Sequence, residues 1–213
     1  MGMNKLKPFP TFTKNDVKLT KTAPLYSGFF KLIDYQFSHR LFDGGWSSSV
    51  KREVLERGHA VAVLLFDPIL DEFVFIEQFR IGAYATSESP WLIEIVAGMI
   101  EKDEAIEEVC RREAFEEAGV TIKRLHKALS YLSSPGGTTE RIHIYVGEVD
   151  ASTAHGVHGL DHESEDILVR RATKLEAIDW LNEGKIDNAA TLIALQWFLI
   201  NEQKVRNTWY ENT

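Results

Sequence analysis

The stretch Gly98-Met-Ile-Glu-Lys-Asp-Glu104, with its continuation through Arg112-Glu113-Ala-Phe-Glu116-Glu117-Ala-Gly119-Val120, constrains this chain more than any other. It predicts a glycine-headed loop running into a helix of about four turns that stops at Gly119, because glycine tolerates the left-handed backbone that follows a last helical turn. At about 100° per residue, Ile106, Val109 and Cys110 share one side of that helix. Glu113 and Glu117 continue the same side within about 40° of Ile106, and Glu116 flanks them. The inward stripe therefore changes from aliphatic to carboxylate over its last two turns. A solvated acidic face is the plain alternative, yet an acid on an inward stripe is costly unless a cation compensates it. Arg112 lies about a quarter-turn away and can orient these carboxylates, but one guanidinium cannot neutralise three or four of them. A hard divalent cation such as Mg2+ can, since it takes oxygen ligands and shares them with water and substrate phosphates.

The length of 213 residues suits one full domain with an appendage, or two small ones. A net charge of −8 argues against nonspecific nucleic-acid binding and against a membrane surface. It does not oppose an anionic small molecule whose charge a metal offsets locally. The single cysteine, Cys110, excludes an intrachain disulfide and suits small core packing in a reducing compartment. No signal-peptide core or membrane-length apolar stretch is evident, so a cytoplasmic protein is expected.

Residues 1–16 are polar and proline-punctuated, which predicts an extended lead-in. From Val17 to Glu56 the pattern is strand-like: Ile33, Tyr35 and Phe37 alternate with polar residues, Asp43-Gly44-Gly45 supplies a turn, and Ser48 to Leu55 makes the return. Residues 1–56 thus form a small antiparallel β module that can hardly bury its own core. Phe29, Phe30, Tyr35, Phe37 and Trp46 exceed what such a sheet needs, which predicts dimerisation through this module. Residues 57–213 read as the catalytic domain. Strands are expected at His59–Phe66, Glu72–Phe79, Trp91–Val96, 128–132, 141–149 and 167–171, with closing helices at Leu175–Glu183 and Asn188–Gln203, the second capped by Asp187 or Asn188. Strands flanked by helices on both sides predict an α/β/α sandwich with a mixed sheet.

The spacing Gly98, five residues, Glu104, seven residues, Arg112-Glu113-Ala-x-Glu116-Glu117-x-Gly119-Val120 resembles the signature box of the Nudix hydrolases at every fixed position. The resemblance implies the Nudix α/β/α fold and a loop–helix–loop that holds Mg2+, or Mn2+ in its place, for hydrolysis of nucleoside diphosphates linked to another group. It makes Glu113 and Glu117 the principal ligands, Glu116 an accessory one and the carbonyl of Ala97 a further one. Glu104 and Arg112 would support them. A second acidic cluster lies in the glycine-broken loop from Ala154 to Ile167. Zinc on His155, His158 and His162, or a plain solvated loop, are its other readings. In the subgroup this chain resembles, such a loop brings the general base, here assigned to Glu163, with Glu165 as a metal ligand or as the base in its stead.

The stretch Ser133-Ser134-Pro135-Gly136-Gly137 is by itself a tight turn. Pro135 stands sixteen residues beyond Gly119, where Nudix enzymes that cleave ADP-ribose carry proline. Arg52-Glu53, Glu56-Arg57-Gly58, Glu77-Gln-Phe-Arg80 and Ile186-Asp-Asn-Ala-Ala resemble the same subgroup. That likeness implies a homodimer and hydrolysis of the ADP-ribose pyrophosphate to AMP and ribose 5-phosphate. Phe29 would stack on adenine across the dimer; Arg52, Arg57 and Arg80 would contact diphosphate or base; Met99, Ser134 and Glu140 would line the ribose side; Glu53 and Gly136 would belong to the same substrate site. Each arginine has a surface ion pair as its plain alternative. Another nucleotide sugar such as GDP-mannose, or non-catalytic sensing of ADP-ribose, are the competing functions.

Overall fold

A computed structural model of the chain describes residues 11–210. Of the lead-in expected over 1–16, residues 1–10 lie outside that range. Lys14–Asp16 form a 3-10 turn rather than extended chain, because the Thr13 side chain accepts from the Asn15 N–H and caps it. The chain divides into two compact units. One contains the residues up to Arg57 together with Ser134–Glu140, and the other contains the rest.

The first unit is a three-stranded antiparallel sheet of β1 (Val17–Ser27), β2 (Lys31–His39) and β3 (Val50–Glu56), in that order. Pro24 sits on the edge strand beside a register shift, where a missing N–H disturbs no ladder. No residue of these three strands is fully buried. The segment 134–140 is bolted to β3: the Leu55 N–H donates to Gly137 O (2.8 Å) and the Thr139 N–H to Leu55 O (3.3 Å). The Glu56 carboxylate accepts from Tyr35 Oη at 3.0 Å and from Thr139 Oγ1 at 2.9 Å.

The second unit contains β4 (Ala60–Asp67), β5 (Glu72–Phe79), β6 (Trp91–Glu94), β7 (Val96–Met99), helix α1 (Ile106–Ala118), β8 (Arg124–Leu132), β9 (Arg141–Glu148), the two-residue β10 (Val157–His158), β11 (Ile167–Thr173), α2 (Lys174–Asn182) and α3 (Ala189–Tyr210). The sheet order is β10-β11-β5-β4-β9-β8, with β6 on β5 and β7 on β4; β4 and β9 run parallel and the other neighbours antiparallel. The sheet is therefore mixed, as expected. The continuous apolar run of β4 reflects burial on both faces. Val61, Val63 and Leu65 pack with Val109, Cys110, Ala114 and Ala118 of α1. Ala62, Leu64 and Phe66 pack with Ala194, Leu195 and Phe198 of α3. Phe66, Phe73 and Phe198 form an aromatic knot on that side, with centroids 4.7–5.2 Å apart. Two helical layers thus sandwich the sheet. Among the described residues no helix is long and apolar enough to cross a membrane.

Three elements differ from expectation. Strand β8 begins at Arg124, four residues before its expected start. The strand predicted over Trp91–Val96 is two strands, since the chain passes from β5 to β4 at Ile95. The Ile95 N–H donates to Thr191 Oγ1 at 3.0 Å, so a buried donor at this break finds a partner from the layer below. Helix α3 runs seven residues past Gln203 because Val205 and Trp209 carry its buried stripe onward. Its cap is Asn188, whose Oδ1 accepts from the Thr191 N–H at 3.1 Å. Thr191→Val keeps the shape and strands the Ile95 N–H. Denaturant unfolding should show a loss of about 1–3 kcal/mol, and an unchanged midpoint would mean water replaces the hydroxyl.

Candidate active site

Helix α1 ends at Gly119, which adopts φ 67° and donates its N–H to Phe115 O at 3.0 Å. Its apolar residues dock on β4 and thereby carry the C-terminal carboxylates inward. Glu117 is 3% exposed, and its Oε2 accepts from the Ala97 N–H at 3.0 Å. Glu113 is half-buried and lies over Gly98, where any Cβ would fall inside its carboxyl group. That close approach is the physical reason for a glycine at the head of the box. Arg112 binds Glu113 Oε1 through Nη1 at 2.8 Å, Glu116 Oε2 through the same nitrogen at 3.0 Å, and Glu104 Oε1 through Nε at 3.2 Å.

Burial pushes the Glu113 carboxyl up to about 7, against the opposing charge of Arg112. Burial likewise pushes Glu117 up to about 8, against the hydrogen bond from Ala97. Arg112 thus satisfies Glu113 and Glu116, whereas Glu117 is left with a backbone N–H. Among the described residues no three His, Cys, Asp or Glu side chains form a closed cation cage. The donor set at the end of α1 is nonetheless all carboxylate, partly desolvated and short of positive charge, which suits a hard oxygen-seeking cation and not a soft one.

The acidic loop docks on this helix. The Gly159 N–H donates to Glu116 O at 3.2 Å, and the His158 ring lies against Gly119. Glu165 Oε2 accepts from the Leu160 N–H at 3.0 Å, and its charge acts on both Glu113 and Glu117. Glu163 closes a 3-10 turn, is exposed, and stands 3.7 Å from His162 Nε2. His155, His158 and His162 do not join in a metal cluster, and His158 Nε2 is engaged with His155 O at 2.8 Å.

The residues tied to substrate by resemblance fall in both units. In the second, Met99 is exposed on β7, and Arg80 is paired with Glu94 while its charge acts on Glu117. In the first, Phe29 is 87% exposed with its ring edge-to-face on Phe30. Arg52 and Glu53 line a hollow of about 250 Å³ with Leu25, Asp34 and Lys51. Arg57 Nε lies 3.2 Å from Glu140 Oε1, and its guanidinium sits over Phe30. Ser134 O accepts from the N–H groups of Gly137 and Thr138, which shapes the turn around Gly136. The sequence assigns no role to two contributors: Glu56, which anchors the 134–140 turn, and Glu94. Strand alternation could have found Glu94, since it faces the same side as Gln78 and Arg80 once the β5–β6 register is known.

Residues 56–196 match the family model of the NUDIX domain. The ADP-ribose pyrophosphatase of Escherichia coli K12 is 57% identical over 199 residues, covering 93% of this chain and 95% of that protein. The Haemophilus influenzae protein of that description is 46% identical, covering 93% of each. The GDP-mannose pyrophosphatase of Pectobacterium atrosepticum is 35% identical, covering 86% and 94%. A solved structure described as an ADP compounds hydrolase superposes with a TM-score of 0.70 at 16% identity, over 90% of this chain and 96% of that one, and so shares the fold.

The raised carboxyls set a sign for pH. Their folded values lie above the ordinary 4.5, so the protonated forms favour the folded state, and stability falls as pH rises from about 4.5 through 8. In excess EDTA, calorimetry should show a melting midpoint that declines between pH 5.5 and 8.5, with Glu117→Gln removing much of the slope. A flat wild-type profile would contradict the burial of these acids.

Proposed function

The chain belongs to the NUDIX family, and on that premise we propose that it hydrolyses the pyrophosphate bond of ADP-ribose, releasing AMP and ribose 5-phosphate. The observation that carries the reading is the inward pair Glu113 and Glu117 at the end of α1, with Glu165 and Arg80 acting on the same group. The higher identity to relatives described as ADP-ribose pyrophosphatases than to those described for GDP-mannose favours ADP-ribose among nucleotide sugars. An intact box speaks for catalysis over mere sensing.

Glu113 and Glu117 would hold Mg2+, or Mn2+ in its place, with Glu116, Glu165 and the Ala97 carbonyl completing the oxygen set. A divalent ion held there would supply positive charge for the diphosphate and would acidify a water. Glu163 takes a proton from the water that attacks one phosphorus, and the anhydride P–O bond breaks with the electron pair leaving on the other phosphate. Its exposure on a turn followed by Ser164 at φ 57° suits a base that swings in with substrate. Arg112 and Glu104 keep the carboxylates in register. Arg80 supplies positive charge to the diphosphate. Phe29, Arg52, Glu53, Arg57, Met99, Ser134, Gly136 and Glu140 are assigned to the remaining substrate contacts on the strength of the resemblance. A lone buried cysteine, whose thiol burial pushes up to about 12, fits a reducing cytoplasm.

We also assign the first unit, a sheet with no fully buried strand residue, to dimerisation with a second copy. Sedimentation at micromolar concentration should give twice the chain mass; a monomer would refute this.

The decisive test is nucleoside monophosphate release (AMP from ADP-ribose, GMP from GDP-mannose) across a panel of nucleotide sugars with millimolar Mg2+. ADP-ribose should be turned over fastest. Glu117→Gln should fold and lose about 10³-fold or more in kcat. Normal turnover by the folded variant would reject the ligand assignment, and preference for GDP-mannose would reject the substrate.

A further inference from the structure

Two arginines act on the carboxylate cluster, and they are used differently. Every nitrogen of Arg112 is occupied: Nε and Nη2 on Glu104, and Nη1 on Glu113 and Glu116. It is an internal tie, with four of its five N–H donors on carboxylates. Arg80 is anchored at one edge alone. Its Nε and Nη2 both donate to Glu94 Oε2, at 3.0 and 2.9 Å, and among the described residues Nη1 has no hydrogen-bond partner. Its side chain remains 44% exposed.

Glu94 on β6 is 4% exposed, and no step of the proposed reaction uses it. A buried carboxylate is costly unless hydrogen-bonded, and an apolar residue at such a position would serve stability as well or better. Here the donors have been assembled around it. Besides the two from Arg80, Gln78 Nε2 reaches Oε2 at 3.3 Å and Asn188 Nδ2 reaches Oε1 at 2.7 Å. The β5–β6 register explains the convergence, because Ile76 pairs with Glu94 and Gln78 and Arg80 follow at two-residue steps on the same face. Asn188 in turn caps α3 through Thr191. Glu94 is therefore rigidly held from the sheet and from the helix layer, and it holds Arg80 by two of the five donors of its guanidinium.

We propose that Glu94 is a positioning residue for substrate binding: by gripping the Nε–Nη2 side of Arg80, it fixes the guanidinium so that the Nη1 side meets the diphosphate of the nucleotide sugar. This rests on the hydrolase reading above. An arginine free to rotate pays side-chain entropy each time it binds phosphate, and a pre-oriented one does not. The neighbourhood of Arg80 to the ligand helix supports the placement, since its charge acts on Glu117.

The test is a double-substitution cycle on the full-length enzyme. Steady-state ADP-ribose hydrolysis is measured for wild type, R80A, E94Q and the pair, with Mn2+ binding followed by electron paramagnetic resonance and folding by thermal melts. Glu94→Gln should lower kcat/KM about tenfold to a hundredfold, chiefly through KM. Mn2+ affinity should stay at the wild-type value. In the R80A background the same substitution should change kcat/KM by about twofold or less, because it acts only through Arg80. Wild-type kcat/KM in E94Q, or an equal loss with and without Arg80, would overturn the proposal. If E94Q does not fold, E94D keeps the charge, withdraws the carboxylate by one methylene, and takes its place in the cycle with the same expectations. Normal kcat/KM in R80A beside an inactive Glu117→Gln would end the role of Arg80 and this proposal while leaving the hydrolase reading intact. No AMP release from wild type would end both.

Discussion

Holding a carboxylate almost out of water at the end of α1 is the constraint to which the surrounding structure answers. Glu117 is inward because the apolar residues about two and three turns earlier on its stripe, Cys110 and Val109 and then Ile106, dock on the sheet. Its carboxyl has a backbone N–H from Ala97 and the field of Arg80 to offset burial, and these do not suffice to keep it at an ordinary carboxylate value. Glu113 can approach β7 only because residue 98 lacks a Cβ. Arg112 pairs with the outer carboxylates and offsets their mutual repulsion. Gly98 and Arg112 both serve to accommodate these inward carboxylates.

The surroundings divide that demand between ties and free charge. Arg112 is spent on Glu104, Glu113 and Glu116, so it stabilises the cluster without being available to a ligand. Arg80 is held by Glu94 and keeps donors exposed. The acidic loop is fastened to the same helix end by the Gly159 N–H and leaves Glu163 outside on its turn. A rigid acidic centre, one pre-set cation and one exposed acid are the parts that metal-assisted hydrolysis of an anhydride requires. The first unit is built on the opposite plan. Its strands bury no residue fully, and its order comes from sheet ladders and from the Glu56 bonds to Tyr35 and Thr139.

Much of this was legible in the order of residues, for reasons that are local. Helix α1 has an inward stripe that passes from apolar to acidic and a glycine stop, and β4 has an unbroken apolar run; each signal lies within one element. The break at Ile95 was not legible, because Trp91 to Met99 has no turn residue between Glu94 and Val96. The chain changes partner there only because β5 and β4 are neighbours and Thr191 meets the Ile95 N–H. The end of α3 was underestimated because Val205 and Trp209 are separated from the earlier stripe by polar residues.

The sequence by itself determined the acidic stripe of α1, its spacing from Gly98, the family, and the strand and helix content, since periodicity and box spacing are properties of consecutive residues. Only the tertiary structure decided which arginine is spent and which keeps a free edge, that Glu165 is half-buried on the Leu160 N–H while Glu163 stays exposed, and that the 134–140 turn belongs with β3. It also decided the contacts of Glu94, a residue fourteen positions from Arg80 and ninety-four from Asn188. Those outcomes depend on strand register and on helices packed across the sheet, and such pairings join residues whose separation along the chain carries no local mark.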